Sequence, residues 1–267
     1  MVAAVRKEVD EEDECKMKTS ILKQDENELV AMISGVTPAF LNALRRAAMF
    51  EVPVLAIEDV YIIQNTSVLY DEILAHRLGL IPLKAELKSF NLPSECTCKG
   101  KYCGKCSVKG MLKAKGPATV YAEDLRFKDV TVKPIYPKMP IVKLLEGQEL
   151  ELEFVAVLGK GKEHSKWSPC HVWYFNTFNI DAKNADLNKI DVPEDVLKKS
   201  EKELKVIDWT KWLPGYEEIL ENAGAKIIYK EDEFVFFVES WGQISPISII
   251  NQAADILQEK FKNLKLK

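Results

Sequence analysis

Apolar positions recur at helical spacing in two segments, one near each end of the chain. The first covers residues 37–50 and starts with Thr37-Pro38, an N-cap residue followed by a proline that suits the first helical position. The second starts with Ser245-Pro246 in the same way. Its apolar residues follow at spacings of three and four: Ile247, Ile250, Ala254, Leu257, Phe261 and Leu264. Such a row keeps one narrow helix face towards one partner, either this chain's own sheet or another subunit.

Strand-like runs account for most of the remaining chain. Two runs flank a polar turn at residues 24–27 and predict a hairpin over residues 18–34. A second hairpin is predicted from the runs 225–229 and 234–239, on either side of the polar residues 230–233. The other predicted elements are strands at 54–63, 118–121, 149–157 and 172–180, and a short helix at 71–80.

Composition places the chain among globular proteins. Of its 267 residues, 47% are hydrophobic and 29% are charged, which is too apolar for a disordered chain. The net charge of -4 argues against nucleic-acid binding over the whole surface, so contact with DNA or RNA would be local or indirect. No apolar run approaches the ~18 residues that a membrane span needs, so we expect an intracellular protein without membrane contact.

Four cysteines carry the most specific chemical signal. Cys96, Cys98, Cys103 and Cys106 have the spacing C-x-C-x4-C-x2-C, and four thiolates on one loop can surround a zinc ion. A closed four-thiolate shell leaves no position for water, so such a site would be structural. An iron–sulfur cluster and an unmetallated loop remain alternatives. The two isolated cysteines are expected to be buried or inert: Cys15 and Cys170.

The cysteine loop is rich in lysine. No acidic residue occurs from Thr97 to Lys115. The lysines singled out are Lys99, Lys101, Lys105 and Lys109. They form either a solvated face or a local contact with nucleic acid or an acidic partner.

Five sequence blocks resemble one protein family. In order, they are NALRRA (42–47), DEILAHRLGLIP (71–82), the cysteine loop, GPATVY (116–121) and KEHSKWSP (162–169). They are similar to blocks of the D subunits of archaeal DNA-directed RNA polymerases. The wider family includes the third-largest subunit of eukaryotic polymerase II and the N-terminal domain of the bacterial alpha subunit. Five blocks in family order are far more specific than any single motif.

The resemblance implies a fold of the α/β (α+β) class with two domains. A discontinuous dimerisation domain would comprise residues 17–52 and 172–267, and a mainly-β domain, residues 53–171, would be inserted into it. The inserted domain would carry the zinc loop at 96–106, with one structural zinc ion per chain. Residues 1–16 are expected to be a flexible tail.

The resemblance also implies a role in assembly. The chain would pair with a smaller homologous L-like subunit, join N-like and P-like small subunits, and support the large catalytic subunits, with Arg45 and its neighbours contacting a large one. No residue of the chain would be catalytic. The expected interface residues are Phe40, Leu41, Leu44, Arg45, Arg46, Ile247, Ile250, Ala254, Leu257 and Phe261. The location would be cytoplasmic in an archaeon, or nuclear if the source is eukaryotic.

The segment 181–222 departs from part of the family. Some archaeal D subunits hold an iron–sulfur cluster there, but this segment has no cysteine, so no cluster is expected. Its charged sequence predicts short helices and loops.

Two functions of other classes find less support in the sequence. A zinc deaminase would need an H-x-E sequence, and none of the three histidines is followed by x-E. A zinc-knuckle RNA-binding protein finds support only in the lysine-rich loop.

Overall fold

The helices lie where the local sequence patterns predict them. The computed structural model describes residues 17–200 and 204–264, so the expected tail at 1–16 lies outside the described residues. The α-helices in this part of the chain are α1 (Pro38–Phe50), α2 (Asp71–Gly79), α3 (Gly215–Asn222) and α4 (Pro246–Lys262). Thr37 Oγ1 accepts a hydrogen bond from the backbone N–H of Phe40 at 3.3 Å. The Ser245 hydroxyl instead forms a hydrogen bond with the Ser248 hydroxyl. None of the described helices is long and apolar enough to cross a membrane.

The strands form one large sheet, one of intermediate size and two small ones. They are β1 (Lys18–Gln24), β2 (Glu28–Ser34), β3 (Val54–Asn65), β4 (Leu83–Lys84), β5 (Ser107–Lys115), β6 (Ala118–Tyr121), β7 (Arg126–Phe127), β8 (Lys133–Pro134), β9 (Pro140–Leu144), β10 (Glu149–Gly159), β11 (Cys170–Asp181), β12 (Leu197–Lys199), β13 (Leu204–Val206) and β14 (Lys226–Ser240). The sheet orders are β1-β2-β14-β11-β13-β12, β3-β10-β5-β7, β4-β8 and β6-β9. The mixed α and β content confirms the expected fold class. The first predicted hairpin is confirmed as β1 and β2, and the four strands predicted outside the hairpins are confirmed as β3, β6, β10 and β11.

The second predicted hairpin is wrong, because β14 is one uninterrupted strand. Its polar middle is held by neighbours on both sides. The Gly35 N–H donates to the Asp232 carbonyl at 2.9 Å, and Asn176 Nδ2 donates to the Lys230 carbonyl at 2.8 Å. Glu233 accepts the Thr177 hydroxyl at 2.6 Å and pairs with Lys230 at 2.7 Å. Charges that are satisfied in this way do not need to leave the sheet, and the segment has no glycine or proline to reverse the chain.

The chain divides into two compact units. The described part of the first unit comprises residues 17–23, 30–41, 174–200 and 204–236. It contains the charged segment 181–222, which has the predicted short helices and, in addition, β12 and β13. Phe178 packs edge-on against Trp209 and Trp212, with ring centroids 5.1 and 5.2 Å apart. A weakly periodic segment thus acquires its own aromatic core.

The second unit comprises residues 24–29, 42–173 and, in its described part, 237–264. Its four-stranded sheet covers a core with Leu112, Leu152 and Phe154, against which α2 also packs. A Cβ on Gly110 would overlap the Phe154 ring, so this position of β5 requires glycine. The opposite, outer face of the sheet bears a second apolar cluster that includes Val155. This outer face supports the cysteine loop.

Candidate metal centre and exposed helix face

The cysteine loop folds into a tight cluster of sulfur atoms just before β5. Lys99 and Tyr102 both adopt left-handed backbone conformations, with φ of 53° and 51°, and curl the loop back on itself. The Cys103 carbonyl accepts the N–H groups of Cys106 and Ser107, both at 3.0 Å. These bends and turns direct the cysteine side chains towards one point.

The sulfur spacing fits a tetrahedral metal ion. The Sγ atoms of Cys96 and Cys103 lie 3.6 Å apart, those of Cys98 and Cys106 3.5 Å, and those of Cys103 and Cys106 3.9 Å. All four Sγ atoms lie within 4.8 Å of one another. Thiolates about 2.3 Å from zinc would stand about 3.8 Å apart at the corners of a tetrahedron. The four cysteines are thus positioned to bind a metal ion, as the sequence predicts. No other group of three or more His, Cys, Asp or Glu side chains in the described residues has such an arrangement.

The loop gives its thiols unequal acidities. A backbone hydrogen bond from Cys103 lowers the pKa of the Cys98 thiol to about 6. Burial raises the pKa of the Cys106 thiol to about 12. A bound divalent metal would hold all four as thiolates and so offset the cost of burying their charge.

Cys170 shows the behaviour expected of an isolated thiol. It is buried, and burial raises its pKa to about 12, which makes it a poor nucleophile. The other isolated cysteine, Cys15, lies outside the described residues.

The four lysines singled out from the sequence are all exposed, but they do not share one site. Lys101 and Lys109 line a cleft of about 560 Å³ on the outer sheet face. Lys99 and Lys105 are absent from its lining. The cleft also contains Arg126 and Lys128, which sequence reasoning missed. Only the pairing of β5 with β7 brings these last two residues beside Lys109.

The expected interface residues of α1 differ in exposure. Leu41 and Leu44 are buried within this chain, whereas 45% of Phe40 is exposed and Arg46 is also exposed. Arg45 is half-buried, and its guanidinium donates to Asn42 within the helix.

The apolar row of α4 lies open. Pro246, Ile249 and Ala253 form the face that this chain buries. The predicted row lies beside that face, rotated from it by ~100° around the helix axis, which corresponds to one residue. Its exposed members are Ile247, Ala254, Phe261 and Leu264, while Ile250 and Leu257 are half-buried. Phe261 is 71% exposed, so α4 has one covered apolar face and one open one. Leu264, which follows the end of the helix, is 65% exposed.

Comparison with known proteins identifies the family. The family described as RNA polymerase Rpb3/RpoA insert domain matches residues 60–183. DNA-directed RNA polymerase subunit Rpo3 of Methanothermobacter thermautotrophicus is 39% identical over 91% of this chain and 96% of its own length. The chain belongs to the Rpo3 family. Other members similar to it are Rpo3 of Methanosphaera stadtmanae, 37% identical over 93% of the chain and 97% of the relative, and Rpo3 of Pyrococcus horikoshii, 36% identical over 91% and 95%.

The Rpo3 match confirms the resemblance drawn from the five sequence blocks. The matched insert-domain region contains the cysteine cluster and most of the four-stranded sheet. The relatives are named as subunits of DNA-directed RNA polymerase, which is a nucleotidyltransferase complex. Within that family the subunit itself is non-catalytic.

Proposed function

We propose that this chain is a non-catalytic assembly subunit of a DNA-directed RNA polymerase in the cytoplasm of an archaeon. The names of its archaeal relatives support the polymerase role and the location. The observation that carries the assembly role is the open apolar row of α4. An exposed phenylalanine in the last turn of α4 and an exposed leucine just after the helix are costly to leave in water and suit a partner.

The partner of this row is a smaller homologous L-like subunit. A helix whose second face is already buried is rigidly placed, so it can present the open row without rearranging. Phe40 of α1 is a further exposed aromatic residue that we assign to pairing. The domain proposal follows: residues 17–52 and 172–267 would form the discontinuous dimerisation domain. Residues 53–171 would be inserted, and the insert-domain match at 60–183 supports this division.

The heterodimer would then receive the N-like and P-like subunits and the large catalytic subunits. Arg45 and Arg46 would contact a large subunit from α1. Zinc bound by the four cysteines would be structural, because a closed thiolate shell leaves no open coordination position. Contact with nucleic acid would be local or made through the other subunits.

Co-expression with a candidate L-like subunit tests the pairing. The full chain should co-purify with it as a stable heterodimer. Phe261→Ser removes a large apolar side chain from the open row, and burial of such a side chain contributes about 1.5–3 kcal/mol. We therefore expect affinity to fall by roughly tenfold to a hundredfold.

Lys262→Ser is the matched control, because Lys262 is the next residue and also exposed but lies off the row. This variant should pair about as well as the wild type. Equal pairing by Phe261→Ser and the wild type would contradict the assignment of this face.

A further inference from the structure

On the outer face of the four-stranded sheet, ion pairs join β5 and β10 at one end of the two strands but not at the other. Lys115 faces Glu149 and Lys113 faces Glu151 across β5 and β10, each pair at 2.7 Å. The next two positions on this face break the pattern. Met111 lies opposite Glu153, and Lys109 lies opposite Val155. The charges at these positions are therefore no longer paired across the strands.

The cleft opens where the pairing stops. Its cations define what we call the basic cleft: Lys101, Lys109, Arg126 and Lys128. Glu153 is the one carboxylate among its lining residues. Within residues 17–200 and 204–264, no carboxylate oxygen lies within 4.0 Å of the ammonium group of Lys101, Lys109 or Lys128. Four exposed cations around one concave surface concentrate positive potential there.

The basic cleft also offers apolar contact. Met111 is 46% exposed, and Tyr61, which lies on the other side of Glu153 on the same rung, is also exposed. Val155 lies at the floor. Tyr102, from the cysteine loop, packs against the cluster that contains Val155 and forms one wall. A smaller cavity of about 280 Å³ shares Tyr102, Lys109 and Lys128 with it and extends it towards Phe90 and Asp129. The result is a groove whose rim carries more cations than carboxylates and whose floor is apolar.

We propose that the basic cleft binds an acidic peptide segment that carries an apolar side chain. Carboxylates of the peptide would meet the unpaired cations, and its apolar side chain would cover Met111 and Val155. This proposal is independent of the pairing by α4, because it rests on a different surface.

One observation favours a peptide over single-stranded nucleic acid. Sequence-tolerant nucleic-acid binding uses several open aromatic faces for stacking. Here the Tyr102 ring already packs against the sheet, which leaves Tyr61 as the exposed ring of the lining.

Fluorescence anisotropy on the full chain tests the proposal. The probes are a labelled dodecapeptide of repeated Asp-Glu-Phe, one of repeated Asp-Glu-Ser, and an oligothymidylate of equal length. We expect the phenylalanine peptide to bind about tenfold or more tightly than either of the other two. Its binding should weaken as salt is raised.

Paired variants locate the binding. Lys109→Gln combined with Lys128→Gln should weaken the phenylalanine peptide by about tenfold. Lys113→Gln combined with Lys115→Gln is the control, because these lysines share the strand and face of Lys109 but lie outside the cleft. It should change binding by less than about twofold. Met111→Ser should weaken the phenylalanine peptide and leave the serine peptide unchanged.

Three outcomes would overturn the proposal. The first is an equal loss of affinity for the phenylalanine peptide in the two double-lysine variants. The second is equal affinity for the phenylalanine and serine peptides. The third is tighter binding of oligothymidylate that depends on Lys109 and Lys128. The last would make the basic cleft a nucleic-acid surface.

Discussion

Glu51, directly after α1, accepts a hydrogen bond from Lys260 of α4, with 2.6 Å between Oε1 and Nζ. Lys160 approaches the other carboxylate oxygen at 3.7 Å. The Glu51 side chain is only 17% exposed, so water screens these contacts less than at an open surface. One carboxylate therefore fixes the last turns of α4 to the end of α1.

The first prediction concerns the pH dependence of this contact. The hydrogen bond from Lys260 lowers the pKa of Glu51 below its ordinary value of 4.5. The contact should therefore contribute fully to stability above that value and be lost as pH falls through the lower folded-state pKa. Glu51→Gln should lower the free energy of unfolding by about 1 kcal/mol at neutral pH and by less in acid. Urea unfolding across pH measures this, with Glu259→Gln on exposed α4 surface as control. An equal loss at every pH would contradict it.

The second prediction concerns the metal. Protein purified without added metal should contain about one zinc ion per chain by mass spectrometry. Cys103→Ser should speed amide exchange across the cysteine loop and leave exchange in α4 unchanged, because structural zinc stabilises mainly the segment it binds. Iron in the protein, or a well-folded chain without metal, would refute the zinc assignment.

The third prediction concerns Arg45. Its guanidinium donates to Asn42 at 3.2 and 2.9 Å and to the Met49 sulfur at 3.6 Å, so the fork is held in place on the helix surface. Arg45→Glu should leave pairing with the L-like subunit largely intact and weaken recruitment of a large subunit by about tenfold. Arg45→Lys keeps the charge but loses the planar guanidinium group, so its recruitment of a large subunit should lie between that of the wild type and that of Arg45→Glu. Pull-down by purified heterodimers measures this. Full recruitment by Arg45→Glu would mean that the side chain is only a helix surface residue.

The fourth prediction concerns packing behind the sheet. A Cβ on Gly159 would overlap the indole ring of Trp167, which is buried and donates to the Val157 carbonyl at 3.2 Å. Gly159→Ala should therefore destabilise the protein by about 1–3 kcal/mol through overpacking. Gly215→Ala is the control, because a Cβ there meets nothing within 4 Å. Thermal unfolding of the two variants should separate them, and equal midpoints would show that Trp167 can move aside.

Local signals in the sequence predicted the local parts of this structure well. The Thr37-Pro38 and Ser245-Pro246 pairs located α1 and α4, because capping and helical spacing depend only on neighbouring residues. Four ligands within one short loop likewise revealed the metal centre. The division of α4 into a buried face and an open row beside it required the structure, since both are apolar in sequence.

Features that depend on distant pairing could not be predicted in this way. The polar residues 230–233 resemble a turn in isolation, yet β14 lies between two other strands that satisfy its backbone. Arg126 and Lys128 lie seventeen or more positions from Lys109 and join it only through strand pairing. A search for basic residues close to the cysteines in the sequence therefore could not find Arg126 and Lys128.

The cysteine loop and the basic cleft share residues, and this sharing has an energetic consequence. Lys101 and Tyr102 lie between Cys98 and Cys103 along the chain and also line the cleft. A ligand that contacts them would bind best to the loop in the conformation described here. An ion that holds this conformation would favour the ligand by the same free energy by which the ligand favours the ion. Metal binding by the thiol cluster and ligand binding in the cleft would therefore be thermodynamically linked. Chelation of the metal or oxidation of the sulfur atoms would lower the affinity of the cleft for a partner that does not contact the sulfur atoms.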